Sequence, residues 1–434
     1  MALVATTDGE NFVEEILEEL AGKGHNSPYI ASFTRKFLAN RHKRDFDEYP
    51  IAELADMIVS AQQFFRTKES TAPKIQVSNA TASGEPCTIV HILNNDMPFI
   101  VDSVLGEIQE WRYSIKLALH PLFFVERDDR GQLTKLFEKK SNVEFAEQPG
   151  HVESFVQIHL DPLSDEQRAS LQVGLVKVME QVALAVRDWK KMIARVRKVM
   201  DAYTDSPPPV SVSEIAEAIQ FLEWIKDDNF TFLGVREYEL TGDQDAADLK
   251  QIEGSGLGIL SDPGVQVLRR GSELVDFTPE IRKFFFAPAP LIVTKANVKS
   301  LIHRRVHMDY IGIKTYSPEG KLTGEFRIVG LFTSGAYTKS AQRIPLLRHK
   351  VDLVLKRHGQ PANSHGGKAL MNILETFPRD ELFQIDVNEL YQTVLGILAL
   401  ELKPEVKAFI RFDDFDRFVS VLVYVCLLYT SPSP

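Results

Sequence analysis

The chain has 434 residues, 44% hydrophobic and 25% charged, with 60 acidic against 50 basic residues and a formal net charge of −10. That length suits roughly three domains, the composition excludes collagen, low-complexity disorder and a disulfide miniprotein, and the charge argues against broad electrostatic binding to nucleic acid or an anionic membrane. Cys87 and Cys426 are the only cysteines, too few for a disulfide framework or a Cys-rich zinc module, so a reducing, cytoplasmic setting is expected. The N-terminal stretch carries Glu10, Glu14, Glu15, Glu18 and Glu19 instead of an apolar signal core. The most apolar run, Phe418–Tyr429, is shorter than the ~20 residues that span a bilayer as a helix.

Residues 10–66 read as helical. Val13, Ile16, Leu17 and Leu20 fall at i, i+3, i+4 and i+7. Gly22 and Gly24 end this helix, a second stretch runs from Tyr29 to Leu38, and a third, Ile51–Phe65, opens after Pro50. Ser70–Pro86, rich in Ser, Thr, Ala and Pro, reads as a linker. Thr88–Leu93 is a β-branched strand. Asp96 is then placed as N-cap, with Pro98 in the first turn, of a helix Phe99–Trp111 that aligns Ile100, Val104 and Ile108. Strands follow at Ile115–Val125, Leu133–Phe137 and Phe155–Leu160. Ser164 and Gln167 form a capping box for a long helix. Its stripe runs through Leu171, Leu175, Val178, Val182, Val186, Trp189, Ile193, Val196 and Met200. Pro207-Pro208-Pro209 ends the unit, so residues 85–205 read β-α-β-β-β-α, with helices on one face of a mainly antiparallel sheet.

A connecting helix spans Ser213–Ile225, and residues 229–335 are strand-rich: Phe230–Leu240, Gly264–Leu268, Leu291–Thr294, Ser300–Ile302, Tyr310–Tyr316 and Glu325–Phe332. The last two flank the hairpin signal Ser317-Pro318-Glu319-Gly320. Ala341–Leu402 is helical, broken at Gly359–Gly367 and Phe377–Arg379. Val406–Phe412 and Arg417–Val425 read as two strands around Asp413-Asp414-Phe415-Asp416. A lone hairpin is marginal in stability, and Cys426–Pro434 does not extend its pattern. The expectation is therefore a chain truncated inside a domain, with residues 426–434 a non-native tail resembling a translated sequencing adapter.

Several constellations invite chemistry. Gly254-Ser255-Gly256-Leu257-Gly258 resembles a dinucleotide loop, but Asp262-Pro263-Gly264 leaves no room for the helix such a loop opens, so a plain loop is the better reading. His365-Gly366-Gly367-Lys368 lacks the flanking Gly and Ser/Thr of a phosphate loop and reads as a helix start after Ser364. His303 and His307 have the spacing of zinc ligands on a helix, but Arg304 stands where a zincin needs Glu. The simpler reading there is a half-exposed strand with a basic face, in which Arg304, Arg305, His307 and Lys314 contact an acidic surface of a neighbouring domain. The turn Asn94–Asp102 brings backbone N–H groups to a helix N-terminus, suited to an anion such as an amino-acid carboxylate. Ordinary capping accounts for Asp96 and Pro98 without a ligand and is the favoured reading of the residues alone. Asn95, Asp96, Met97 and Phe99 are the candidate effector residues. No catalytic, cofactor-binding or metal-ligating set is assigned.

The run Asn95-Asp96-Met97-Pro98-Phe99-Ile100-Val101-Asp102-Ser103-Val104, with His120-Pro121 and Arg127-Asp128, resembles the opening of the large bacterial NAD-specific glutamate dehydrogenases. So do Asn229–Tyr238, His303–Lys314, Gly330–Ser334 with Ala336-Tyr337, Ile344–Arg348 and Leu374–Phe383, all in family order up to Val425. The resemblance implies an α+β multidomain chain: N-terminal helices and linker (1–84), an ACT-like domain (85–205), a connecting helix (206–228), a PAS-type antiparallel sheet domain (229–335), a helical segment (336–403) and the start of a second ACT-like domain (404–425). It also implies that the Rossmann domain and its catalytic Lys and Asp lie downstream. NAD would then belong to the parent enzyme and not to these residues. The chain's partners would be other subunits, its own catalytic domain and an amino-acid effector. Phe99 departs from amino-acid-binding ACT domains, which often carry Gly there. The alternatives are a freestanding ACT-type amino-acid sensor and a pure oligomerisation module.

Overall fold

A computed structural model describes residues 4–39, 41, 43–69, 71–82, 84–137, 150–242, 247–270, 273–275, 277–361, 363–401, 405–412 and 419–425. The chain divides into two compact units, Met1–Ala183 with Leu301–Arg305, and Leu184–Ser300 with Val306–Pro434.

The first unit opens with helices α1 (Val4–Gly22), α2 (Pro28–Phe37) and α3 (Ile51–Phe65). Ser27 caps α2 and Pro28 sits at its start. Strands β1 (Lys74–Ala82) and β2 (Glu85–Asn95) form an antiparallel hairpin, so most of the expected linker Ser70–Pro86 is a strand. Only Ile75 and Val77 alternate as apolar residues, and pairing to β2 orders the small and polar remainder. Helix α4 (Ile100–Glu110), strands β3 (Ile115–Leu119), β4 (Leu122–Arg127), β5 (Leu133–Leu136) and β6 (His151–Leu160), and helix α5 (Asp165–Asp205) follow. The sheet runs β1-β2-β6-β4-β5, with β3 also paired to β6. Helices cover both of its faces, a correction to the expected one-sided layer. Val90, Ile92, Val156 and Ile158 pack with Ile100 and Val104 of α4 and Leu171 and Leu175 of α5. Leu93, Phe123 and Phe155 on the opposite face pack with Phe33 and Phe37 of α2 and Phe65 of α3. The near-unbroken apolar run of β2 is what a strand buried on both faces requires.

In the second unit, Met192, Val196 and Tyr203 of α5 belong to the core. The expected stripe fails at one position: Trp189 is exposed and its neighbour Asp188 is buried. Next come α6 (Val212–Trp224), β7 (Phe230–Thr241), β8 (Asp248–Gln251), β9 (Leu257–Gly258), β10 (Leu268–Arg270), β11 (Glu273–Val275) and α7 (Pro279–Phe286). They are followed by β12 (Leu291–Lys299), β13 (His307–Tyr316), β14 (Leu322–Phe332), α8 (Ser334–Thr338), α9 (Leu347–His358), α10 (His365–Thr376), α11 (Arg379–Gln384), α12 (Val387–Leu398), β15 (Lys407–Phe412) and β16 (Val419–Tyr424). Residues 264–267 and 300–302, expected in strands, lie in no strand. The main sheet runs β12-β13-β14-β7-β8 with β9 on β7, every pair antiparallel. One face buries Phe230, Phe232, Ile311, Phe326 and Ile328 against α6 and α9–α12. The other buries Arg236, Tyr238, Tyr310, Glu325 and Arg327. The pair β15–β16 packs Phe409, Leu422 and Tyr424 on the core and exposes Ile410, Phe412, Val419, Val421 and Val423. Its connecting turn and the tail 426–434 lie outside the described residues.

Candidate functional site

The turn between β2 and α4 is built differently from the expected capped helix. Asp96 does not cap α4; its N–H donates to Val152 O at 2.9 Å. The residue before the helix is Phe99, at φ +73° and ψ 0°, without a side-chain cap. A left-handed backbone costs a non-glycine residue about 1–2 kcal/mol. Phe99 thus keeps the conformation that glycine would favour at this point while carrying a bulky ring. Asn95 and Asp96 are exposed, Met97 and Phe99 half-buried. Behind the turn, the buried Lys68 ammonium donates to Asn95 Oδ1 at 3.0 Å, and burial pulls its pKa down. Arg127 clasps the fully buried Glu153 with Nε and Nη2 at 2.8 and 2.7 Å and donates onward to Phe65 O and Gly131 O. His151 Nε2 lies 3.1 Å from the same carboxylate. His120 meets Ser154 Oγ at 2.7 Å, and desolvation lowers its pKa although Asp96 opposes the shift.

The segment Leu301–Arg305 packs on α4 within this first unit. His303 donates its N–H to Ser103 Oγ at 2.9 Å, places Nδ1 2.9 Å from Asp102 and sets its ring 5.5 Å from that of Phe99. Its φ of +63° is a second strained non-glycine conformation. Arg305 pairs with Glu107, which also accepts from Trp111 Nε1 at 2.9 Å. Two helix-interior glycines make room for that pair. A Cβ on Gly106 would stand 3.1 Å from Arg305 Cγ, and one on Gly174 2.3 Å from Glu107 Oε1. An open groove of about 550 Å³ beside the contact is lined by Asp102, Gly106, Gln109, His303 and Arg304.

The four basic candidates do not form one face. Arg304 and Arg305 lie in the turn, and only His307 and Lys314 are in β13. His307 Nδ1 meets Ala296 O at 3.1 Å. Lys314 is no surface contact: it is buried inside its own sheet, donates to Ala287 O and lies 4.6 Å from the Phe284 ring centre. Desolvation pushes its ammonium down to about 8. The alternation of β13 places Lys314 with Tyr310 and Gly312 on the sheet face against which Phe284 and Ala287 lie, which its charge does not announce.

The glycine-rich loop is fixed rather than open. Gly258, at φ +62°, donates its N–H to Asp188 Oδ2 at 3.1 Å, and a Cβ there would meet Leu233 O at 2.2 Å. Arg187 holds the Asp188 carboxyl down to about 2. Ser364 Oγ accepts from Gly367 N–H at 3.0 Å, so the His365 motif starts a helix. Of the residues at these places, Lys68, Ser103, Glu107 and Glu153 escaped sequence reasoning. The one available signal was Gly106 and Gly174 inside helices, where glycine marks close packing.

Family models for the glutamate dehydrogenase ACT1 domain and for helical motif 1 of glutamate dehydrogenase match residues 33–175 and 344–403. Over those two stretches the chain is similar to glutamate dehydrogenase. The ACT1 match takes in the end of α2, α3 and the first sheet, including the Asn95–Phe99 turn, and helical motif 1 takes in α9–α12. An NAD-specific glutamate dehydrogenase of Halomonas elongata is 32% identical over 406 residues, 91% of this chain and 25% of the relative. That of Pseudomonas aeruginosa is 30% identical over 406 residues, covering 92% and 24%. That of Mycobacterium tuberculosis is 24% identical over 360 residues, covering 79% and 21%. The chain thus spans about a quarter of the length of these curated relatives.

Proposed function

We propose that this chain is the N-terminal regulatory and assembly portion of an NAD-dependent glutamate dehydrogenase. The parent reaction is L-glutamate, NAD and water to 2-oxoglutarate, ammonia and NADH, with NAD bound by the catalytic domain of the longer polypeptide. The observation that carries this reading is the pair of matches, ACT1 and helical motif 1, in a chain aligned over nine-tenths of its length to relatives four times as long. Residues 229–335 are read as the PAS-type domain and 404–425 as the opening of a second ACT-like domain. The parent is read as a cytoplasmic homo-oligomer. Purified residues 1–434 are expected to form no NADH from glutamate and NAD; measurable turnover overturns the assignment.

Within it, Asn95, Asp96, Met97 and Phe99 are proposed as the effector-responsive turn, supported by the exposure of Asn95 and Asp96 and by the glycine-like backbone at Phe99. Calorimetric titration with a panel of amino acids tests this. Heat that Asn95→Ala abolishes supports an effector site, and no heat from any of them leaves assembly as the role. Arg304 and His307 are proposed contacts to an acidic surface of a neighbouring domain, and Arg305 pairs with Glu107.

A further inference from the structure

A cavity of about 590 Å³ lies wholly within the second unit. That is within the range of ligand sites, about 300–1,000 Å³. Its apolar wall is made by Leu291, Ile292 and Val293 of β12, Leu346 just before α9, Phe383 of α11 and Val387 of α12. Leu291, Val293 and Phe383 belong to the buried core, and Leu346 and Val387 pack against it. The cavity thus continues the apolar surface of the core.

Among the described residues, the charged side chains of the wall are already matched inside the protein. Glu214 closes the α6 capping box with Ser211. Glu217 accepts from Leu346 N–H at 2.8 Å and from the Arg348 guanidinium at 2.8 and 2.6 Å. The Lys350 ammonium, with three protons to give, donates to Leu382 O, Phe383 O and Ile385 O at 3.0, 2.7 and 2.8 Å. Arg411 pairs with Glu381. His349, the remaining titratable group, is exposed. A charged ligand would meet no counter-charge left to pair with, and an unpaired charge taken out of water is costly. Water is also poorly held against such a wall, because an ordered water needs about two to four polar partners.

We propose that this cavity is a binding site for an uncharged, largely apolar small molecule. The driving force is the covering of the apolar wall and the release of weakly held water. The site shares no residue with the Asn95–Phe99 turn and draws its walls from the second sheet, α6, helical motif 1 and β15. An occupant therefore touches the sheet and the helical motif at once.

The test is fluorescence titration of the full 434-residue chain with N-phenylnaphthylamine, an uncharged apolar probe that brightens out of water. The expected result is saturable binding at a single site, about tenfold or more tighter than that of its charged analogue, anilinonaphthalene sulfonate. Val387→Trp and Ala289→Phe place bulk in the cavity. Each is expected to weaken probe binding about tenfold or more while thermal unfolding stays cooperative, and two variants guard against one failing to fold. Phe412→Ser, on the exposed face of β15, is expected to bind as the wild type does. Absence of saturable binding, undiminished binding in both filled variants, or loss of binding in Phe412→Ser overturns the proposal. So does equal affinity for the sulfonate.

Discussion

The first unit buries an ion pair, Arg127–Glu153, beside a cluster of buried polar groups that is neutral. Tyr49 Oη lies 3.0 Å from His159 Nδ1, Gln157 bridges His159 and His91 at 2.9 and 3.0 Å, and His91 stacks on Phe64 with ring centres 5.1 Å apart. Burial pushes both imidazoles down to about 4. In the second unit, the buried polar face is ionic. Arg327 pairs with Glu325, donates to Tyr238 Oη at 2.9 Å and lies over the Tyr238 ring, while Tyr310 donates to Glu325. Arg236 meets the carbonyls of Leu260, Asp262 and Val265. The difference teaches that a sheet can bury polar side chains by keeping them uncharged or by pairing the charges. Only the second choice makes each partner indispensable, because a charge left alone in the interior is far costlier than a lost neutral hydrogen bond.

The largest effect expected from that contrast is at the ionic face. Glu325→Ala strands Arg327 and should destabilise the second unit by about 3–5 kcal/mol. Gln157→Ala in the first unit should cost about 1–3 kcal/mol, the loss of neutral bonds. Urea unfolding of each variant, read region by region through amide exchange, gives the comparison, and equal losses would break it. The next effect is in pH. His91 and His159 have folded pKa values near 4 against an ordinary 6.5. The stability they contribute is therefore present above about 6.5 and lost as pH falls towards 4. Asp309, buried beside Lys295, is raised to about 6 from 3.8. Its contribution is present below 3.8 and lost as pH rises through about 6. Between pH 6.5 and 4 the first unit should weaken while the second is supported by Asp309, a divergence that exchange measured at both pH values would reveal. The smallest effect is local. Ser211→Ala removes the α6 capping box and should cost about 1 kcal/mol, checked by thermal unfolding.

Strand and helix positions were largely legible, because β-branched runs such as Thr88–Leu93 and the stripe Leu171–Val182 carry their own periods. The turn at Phe99 was not: a left-handed backbone is announced by glycine, and phenylalanine hides it. Nor was the inward turn of Asp188. Periodicity favours the apolar Trp189, but Gly258 N–H, brought from 70 positions away, and the adjacent Arg187 reward a carboxylate in the buried position. Lys314 misled for the same reason, since its charge argued for the surface while alternation with Tyr310 and Gly312 carried it inside.

The amino-acid order by itself determined the succession of elements, the apolar faces and the helix starts at Ser164 and Ser364, since these follow from contacts within a few residues. Which polar side chains went inside, and which helices covered which face of each sheet, was decided only by the tertiary structure. Arg305 finds Glu107 across 198 positions, and Arg327 reaches Tyr238 across 89. A buried charge is tolerated only where such a distant partner arrives, and local periodicity carries no record of that meeting.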